Sequence, residues 1–85
     1  MNTNPPGETL EAWMDENFFS LEDACESLEI TSKEYFSFIH GNKDVDGEFA
    51  AKLEELTGIR KQVWLKLEEK YRAALIQSRL LLKNL

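Results

Sequence analysis

The sequence predicts an all-α fold of five helices. Apolar residues recur at i, i+3, i+4 and i+7 in one segment after another, the repeat of a single buried helix face. No stretch alternates apolar and polar residues for long, and no Asn-Gly hairpin signal occurs. Pro, Ser, Thr, Asp and Gly punctuate these segments where helices start and stop.

Pro5, Pro6 and Gly7 open the first helix, and Leu10, Trp13, Met14 and Asn17 share its apolar face. This helix stops near Phe18 and Phe19. Ser20 is the N-cap of the second, with Asp23 three residues on. Leu21, Ala24, Cys25 and Leu28 form its stripe over about two turns. Glu29 and Ile30 make a turn. Thr31 caps the third helix and Glu34 follows at the capping-box position. Tyr35, Phe38 and Ile39 face inward, and Gly41 ends the helix. After the polar loop "NKDVDG", Asp46 caps a fourth helix whose stripe is Phe49, Ala50, Leu53 and Leu56, and Gly58 terminates it. The last helix is expected over about residues 60 to 84. Val63, Trp64, Leu67, Tyr71, Leu75, Ser78, Leu82 and Leu85 fall roughly along one side.

Eighty-five residues make one domain, residues 1 to 85, with a modest core that oligomerisation would reinforce. The chain is 42% hydrophobic and 31% charged with few Gly and Pro, which argues against disorder. No apolar run approaches the ~18 residues of a membrane span. The opening "MNTNPPGE" lacks the charged and apolar regions of a signal peptide. One cysteine forms no internal disulfide, so a reducing cytoplasm is expected.

The formal net charge of −6 is unevenly spread. Residues 1 to 31 hold eight acids and no Lys or Arg, residues 32 to 58 hold six acids and three bases, and residues 59 to 85 hold two acids and seven bases. Such a chain suits head-to-tail pairing, or two faces for two partners; a solvated surface of uneven charge explains it equally.

Nothing in the sequence points to catalysis. No nucleophile has a positioned base, and no phosphate loop or cofactor motif occurs. Adjacent acids such as Asp15/Glu16, Glu54/Glu55 and Glu68/Glu69 point to different sides of a helix. One Cys and one His do not make a metal site. Cys25 reads as a small buried hydrophobe, and Trp13 and Trp64 as core.

The second and third helices, residues 20 to 41, follow the helix-turn-helix plan, in which one helix braces across the phosphate backbone and the next enters the major groove. Outward positions on and after the third helix nominate Ser32, Lys33, Phe36, Ser37, His40, Asn42 and Lys43 as DNA contacts. Lys33, Asn42 and Lys43 suit phosphates or base edges. The two serines are small enough to let backbone approach a phosphate. Phe36 has three readings: packing on a thymine methyl, anchoring a protein partner, or packing against the following loop. The N-terminus of the second helix offers N–H groups to a phosphate without a basic side chain. Glu22, Asp23 and Glu26 oppose a basic footprint on this face.

The whole pattern resembles the lambda-repressor-like (XRE) superfamily, and within it the HigA branch of antitoxins. The likeness is carried by "PPGETLEAWMDE", "SLEDACESLEITSKEYFSFIHGNK" and, most specifically, "EFAAKLEELTGIRKQVWLKLEEKY". It implies a five-helix lambda-repressor-like DNA-binding domain, homodimers on double-stranded operator DNA, and a RelE-like toxin as partner. Several positions depart from the pattern. Glu29 replaces the usual turn glycine, Cys25 a small alanine, Leu21 a DNA-touching glutamine, and Ser32 an arginine. Glu34 puts an anion near the groove, and the loop keeps Lys43 but offsets it with Asp44. The alternative is an acidic protein-interaction module on the same fold that has lost DNA binding. The strongly apolar end, "ALIQSRLLLKNL", nominates Leu75, Leu81, Leu82 and Leu85 for dimerisation rather than membrane contact.

Overall fold

Five helices follow one another in this computed structural model, which describes residues 4–83, with side chains described as far as Leu80. They are α1 (Pro6–Glu16), α2 (Leu21–Leu28), α3 (Ser32–Ile39), α4 (Gly47–Thr57) and α5 (Lys61–Lys83). No strand occurs among the described residues. The all-α, five-helix expectation and the long last helix are both met.

The helix starts follow the side chains that satisfy their first N–H groups. Ser20 Oγ accepts from the Asp23 N–H at 3.1 Å, Thr31 Oγ1 from the Glu34 N–H at 3.1 Å, and Asp46 Oδ1 from the Phe49 N–H at 2.8 Å. In α1, Pro stands in the first turn, where a missing N–H costs nothing.

The helix ends share a second device: α1 to α4 each run into a left-handed residue. These are Phe18 (φ 53), Glu29 (φ 57), Gly41 (φ 78) and Gly58 (φ 77). The chain then hydrogen-bonds back onto the last turn, by the Phe19 N–H to the Met14 carbonyl (2.9 Å), Ile30 to Cys25 (3.0 Å), Asn42 to Ser37 (2.7 Å) and Gly58 to Glu54 (2.8 Å). Glycine takes this conformation freely; for Phe18 and Glu29 it costs about 1 kcal/mol each. Asn17, expected on the buried face of α1, instead lies exposed, and its Nδ2 donates to the Trp13 carbonyl. The helix has already ended, so the 3.6-residue repeat no longer applies there.

The core comprises Leu10 and Met14 of α1, Ala24 and Leu28 of α2, Tyr35 and Phe38 of α3, Val45 of the following loop, Phe49, Ala50 and Leu53 of α4, and Trp64 of α5. Phe38 and Phe49 meet edge-to-face at 5.0 Å, a favoured aromatic geometry. α1 packs on α3 and α5, α2 on α3 and α4, and α4 on α5. Gly7 does more than open α1. A Cβ there would lie 2.5 Å from the Ile39 Cα and the Phe38 carbonyl oxygen, so only glycine lets α1 start directly against the end of α3.

α5 meets the core through Trp64, with Leu67 and Tyr71 half-buried on the same side and Glu68 buried beside them. Of the residues expected along that side up to Tyr71, Val63 alone is exposed. At 23 residues and about 1.5 Å per residue, α5 outruns the narrow dimensions of the molecule, which measures 44 × 23 × 22 Å. Leu75, nominated for dimerisation, is therefore exposed, as are Ile76 and Leu80.

Glu68 takes a role that adjacent-acid reasoning misses. Its Oε2 accepts from the Val45 N–H and its Oε1 from Arg72 Nε, at 2.6 and 3.2 Å. Arg72 Nη2 also donates to the Lys43 carbonyl and pairs with Asp44 at 3.1 Å. One carboxylate and one guanidinium on α5 thus pin the α3–α4 loop. Tyr71 closes over Gly41, where any Cβ would collide with its hydroxyl.

Candidate nucleic-acid interface

α3 is the element on which a groove-reading site would stand, and its entry is firmly set. The Thr31 N–H donates to Glu34 Oε1 at 3.3 Å while Thr31 Oγ1 accepts from the Glu34 N–H, a complete capping box. The Thr31 N–H is the main cause that holds the Glu34 carboxyl below its ordinary range, and the Thr31 hydroxyl and Lys43 add to it. Glu34 is thus engaged with the helix cap and Lys43.

Behind α3, Tyr35 and Phe38 enter the core. Lys33, Phe36, Ser37 and His40 fall at i, i+3, i+4 and i+7 and therefore share one face. Lys33 and His40 are exposed, Ser37 is half-buried, and Phe36 is 50% exposed. The Phe36 ring meets the edge of Tyr35 at 5.5 Å, so one side packs and the other faces solvent. Ser32 is exposed in the first turn.

The loop residues divide. Asn42 is exposed and follows directly on the stripe. Lys43 turns back toward the globule: its Nζ lies 3.7 Å from Glu34 Oε2 and 4.9 Å from the Phe49 ring centroid. Asp44, expected to offset Lys43, pairs with Arg72 instead. The structure therefore gathers Lys33, Phe36, Ser37 and His40 on one stripe, sets Ser32 and Asn42 at its ends, and holds Lys43 in an internal ion pair.

Lys33 is the sole cation of α2 and α3, and it forms no ion pair among the described residues. Glu29 pairs with Lys52 at 3.7 Å and Glu34 with Lys43, which leaves Glu22, Asp23 and Glu26 facing solvent on α2. Cys25 is half-buried, and burial raises its thiol pKa above the ordinary value.

Two features escaped the sequence reading. The Glu68–Arg72 clamp was discoverable as an i, i+4 acid–base pair on a helix. Phe18, 95% exposed, was not, because nothing local says which of two adjacent phenylalanines turns out. Of the dimerisation set, Leu75 is exposed, while Leu81, Leu82 and Leu85 lie outside the described side chains. No helix among the described residues is long and apolar enough to cross a membrane.

No family model matches the chain, and comparison with curated proteins finds no match. Among solved structures, the chain is similar to an addiction module antidote protein of a HigA family from Coxiella burnetii. The TM-score is 0.80 at 21% identity, over 93% of this chain and 87% of that one. The likeness establishes the five-helix architecture across nearly the whole chain.

Proposed function

We propose that the protein is a HigA-like antitoxin: a dimeric, sequence-specific DNA-binding regulator that acts on its own promoter and neutralises a RelE-like toxin. The observation that carries this reading is the α3 stripe of Lys33, Phe36, Ser37 and His40, set on a capped helix in a fold shared with an addiction module antidote.

In this reading α3 lies in the major groove. Lys33 meets a base edge or phosphate, Ser32 and Ser37 let backbone come close, Phe36 packs on a thymine methyl, and His40 and Asn42 complete the contact. Lys43 contributes indirectly, by neutralising Glu34 and so removing an anion from beside the groove. The N-terminus of α2 meets a phosphate through its N–H groups. Exposed Leu75, Ile76 and Leu80 on α5 support a homodimer that presents two such helices.

The test is binding to duplex from the protein's own promoter over a salt series that begins low. Few cations contact phosphates, so the salt slope is shallow, with log affinity falling by about 0.9 per contact per decade of salt. Lys33→Ala weakens the preferred site by about 1–3 kcal/mol and relaxes its specificity. A second reading, an acidic interaction module without DNA binding, is favoured by the solvent-facing Glu22, Asp23 and Glu26. Absence of duplex binding at low salt, with tight binding to a basic protein, would establish it instead.

A further inference from the structure

We propose that the α1–α2 corner is a docking surface for a second copy of this chain, with Phe18 as its anchor and the exposed groove of the partner's α5 as its socket. The proposal rests on the homodimer reading above and names the surfaces that meet.

Phe18 adds little to the packing of the corner. α1 ends when the Phe19 N–H bonds back to the Met14 carbonyl and the Phe19 ring packs edge-to-face on Trp13 at 5.3 Å. That closure turns the preceding residue outward at φ 53. α3 and α4 put glycine at the same place. Here it is a phenylalanine, and its ring is 95% exposed. Glu29, the other non-glycine in this conformation, at least pairs with Lys52. Phe18 buries almost nothing, on backbone that disfavours it. Aromatic side chains, phenylalanine among them, are enriched at protein interfaces.

Charge selects the occupant. Asp15, Glu16, Glu22 and Asp23 flank Phe18, all exposed, and none is in an ion pair among the described residues. On α5, Val63, Lys66, Leu67 and Lys70, at i, i+3, i+4 and i+7, line a shallow groove. Val63 is exposed and Leu67 half-buried, so the groove has uncovered apolar surface beside two exposed cations. Two α5 helices laid together on this face would set lysine against lysine. An acidic corner with a projecting phenyl ring matches it in both charge and shape. A reciprocal pairing about a two-fold axis makes the contact twice and closes.

The test is sedimentation velocity of the full chain over a concentration series, with thermal unfolding alongside. At a dilution where the native chain is monomeric, Phe18→Gly raises Tm by about 4 °C through relief of the left-handed strain; at higher concentration it weakens self-association at least tenfold. Lys66→Glu with Lys70→Glu weakens it as much. Adding Asp15→Lys and Glu16→Lys to that double variant restores association. A Phe18→Gly chain that associates like the native one overturns the proposal and leaves the dimer standing. A native chain monomeric at every concentration overturns both. A fall in Tm on Phe18→Gly at the monomeric dilution, or tighter association on lysine reversal, also overturns it.

Discussion

Any side chain at Gly41 meets two penalties, a left-handed φ of 78 and the Tyr71 hydroxyl lying over it. Gly41→Ala combines the conformational cost, about 1 kcal/mol, with overpacking against an aromatic ring, typically 1–3 kcal/mol. We expect a loss of about 2–4 kcal/mol in urea unfolding. Glu34 gives the acid-side signature. Its carboxyl titrates below the ordinary value of 4.5, chiefly because the Thr31 N–H donates to it. A depressed folded pKa contributes stability that is present above the unfolded value and lost as pH falls through the folded one. The stability difference between native protein and Glu34→Gln should therefore be constant at neutral pH and shrink below about pH 4.5. Tyr35 behaves oppositely at the alkaline end. Burial, and then Glu11, raise its phenol pKa, so the stability it adds is present below its ordinary value and is lost as pH rises.

At the scale of elements, α3 is held by its cap at one end and by the α5 clamp at the loop beyond its other end. Thr31→Ala removes the hydroxyl half of the capping box and should cost about 1 kcal/mol. If α3 reads DNA, it should also weaken promoter binding without changing sequence preference. The Glu68 carboxylate is the one acceptor given to the buried Val45 N–H. Glu68→Ala leaves that N–H and the Arg72 guanidinium without it, for a loss of about 1–3 kcal/mol. Faster hydrogen exchange at the Val45 amide, with core amides in α4 unchanged, would show that the loop opens while the fold stays closed.

For the molecule as a whole, the projecting end of α5 is the feature most in need of cover. Leu75, Ile76 and Leu80 are exposed, and burying one such side chain is worth roughly 1.5–3 kcal/mol. We expect the native chain to dimerise at micromolar concentration and the Leu75→Glu, Leu80→Glu double variant to sediment as a monomer with unchanged helical content. A monomeric native chain would sink this expectation.

The sequence by itself determined the five helices, their starts and most of their stops. Caps, glycines and the 3.6-residue repeat act over a few residues, and so does the physics that reads them. It also placed Lys33, Phe36, Ser37 and His40 on one face of α3, because that spacing is a property of the helix alone. Only the tertiary structure decided what lay between elements. It turned Lys43 inward onto Glu34, paired Asp44 with Arg72, and buried Glu68 to hold a loop 23 residues away in sequence. It left Val63 of α5 outside and buried Glu68 beside Trp64 and Leu67. It also made Gly7 a contact between helices, and turned Phe18 rather than Phe19 into solvent. Ion pairs and close approaches depend on which segments packing brings together, and neither periodicity nor composition encodes that choice.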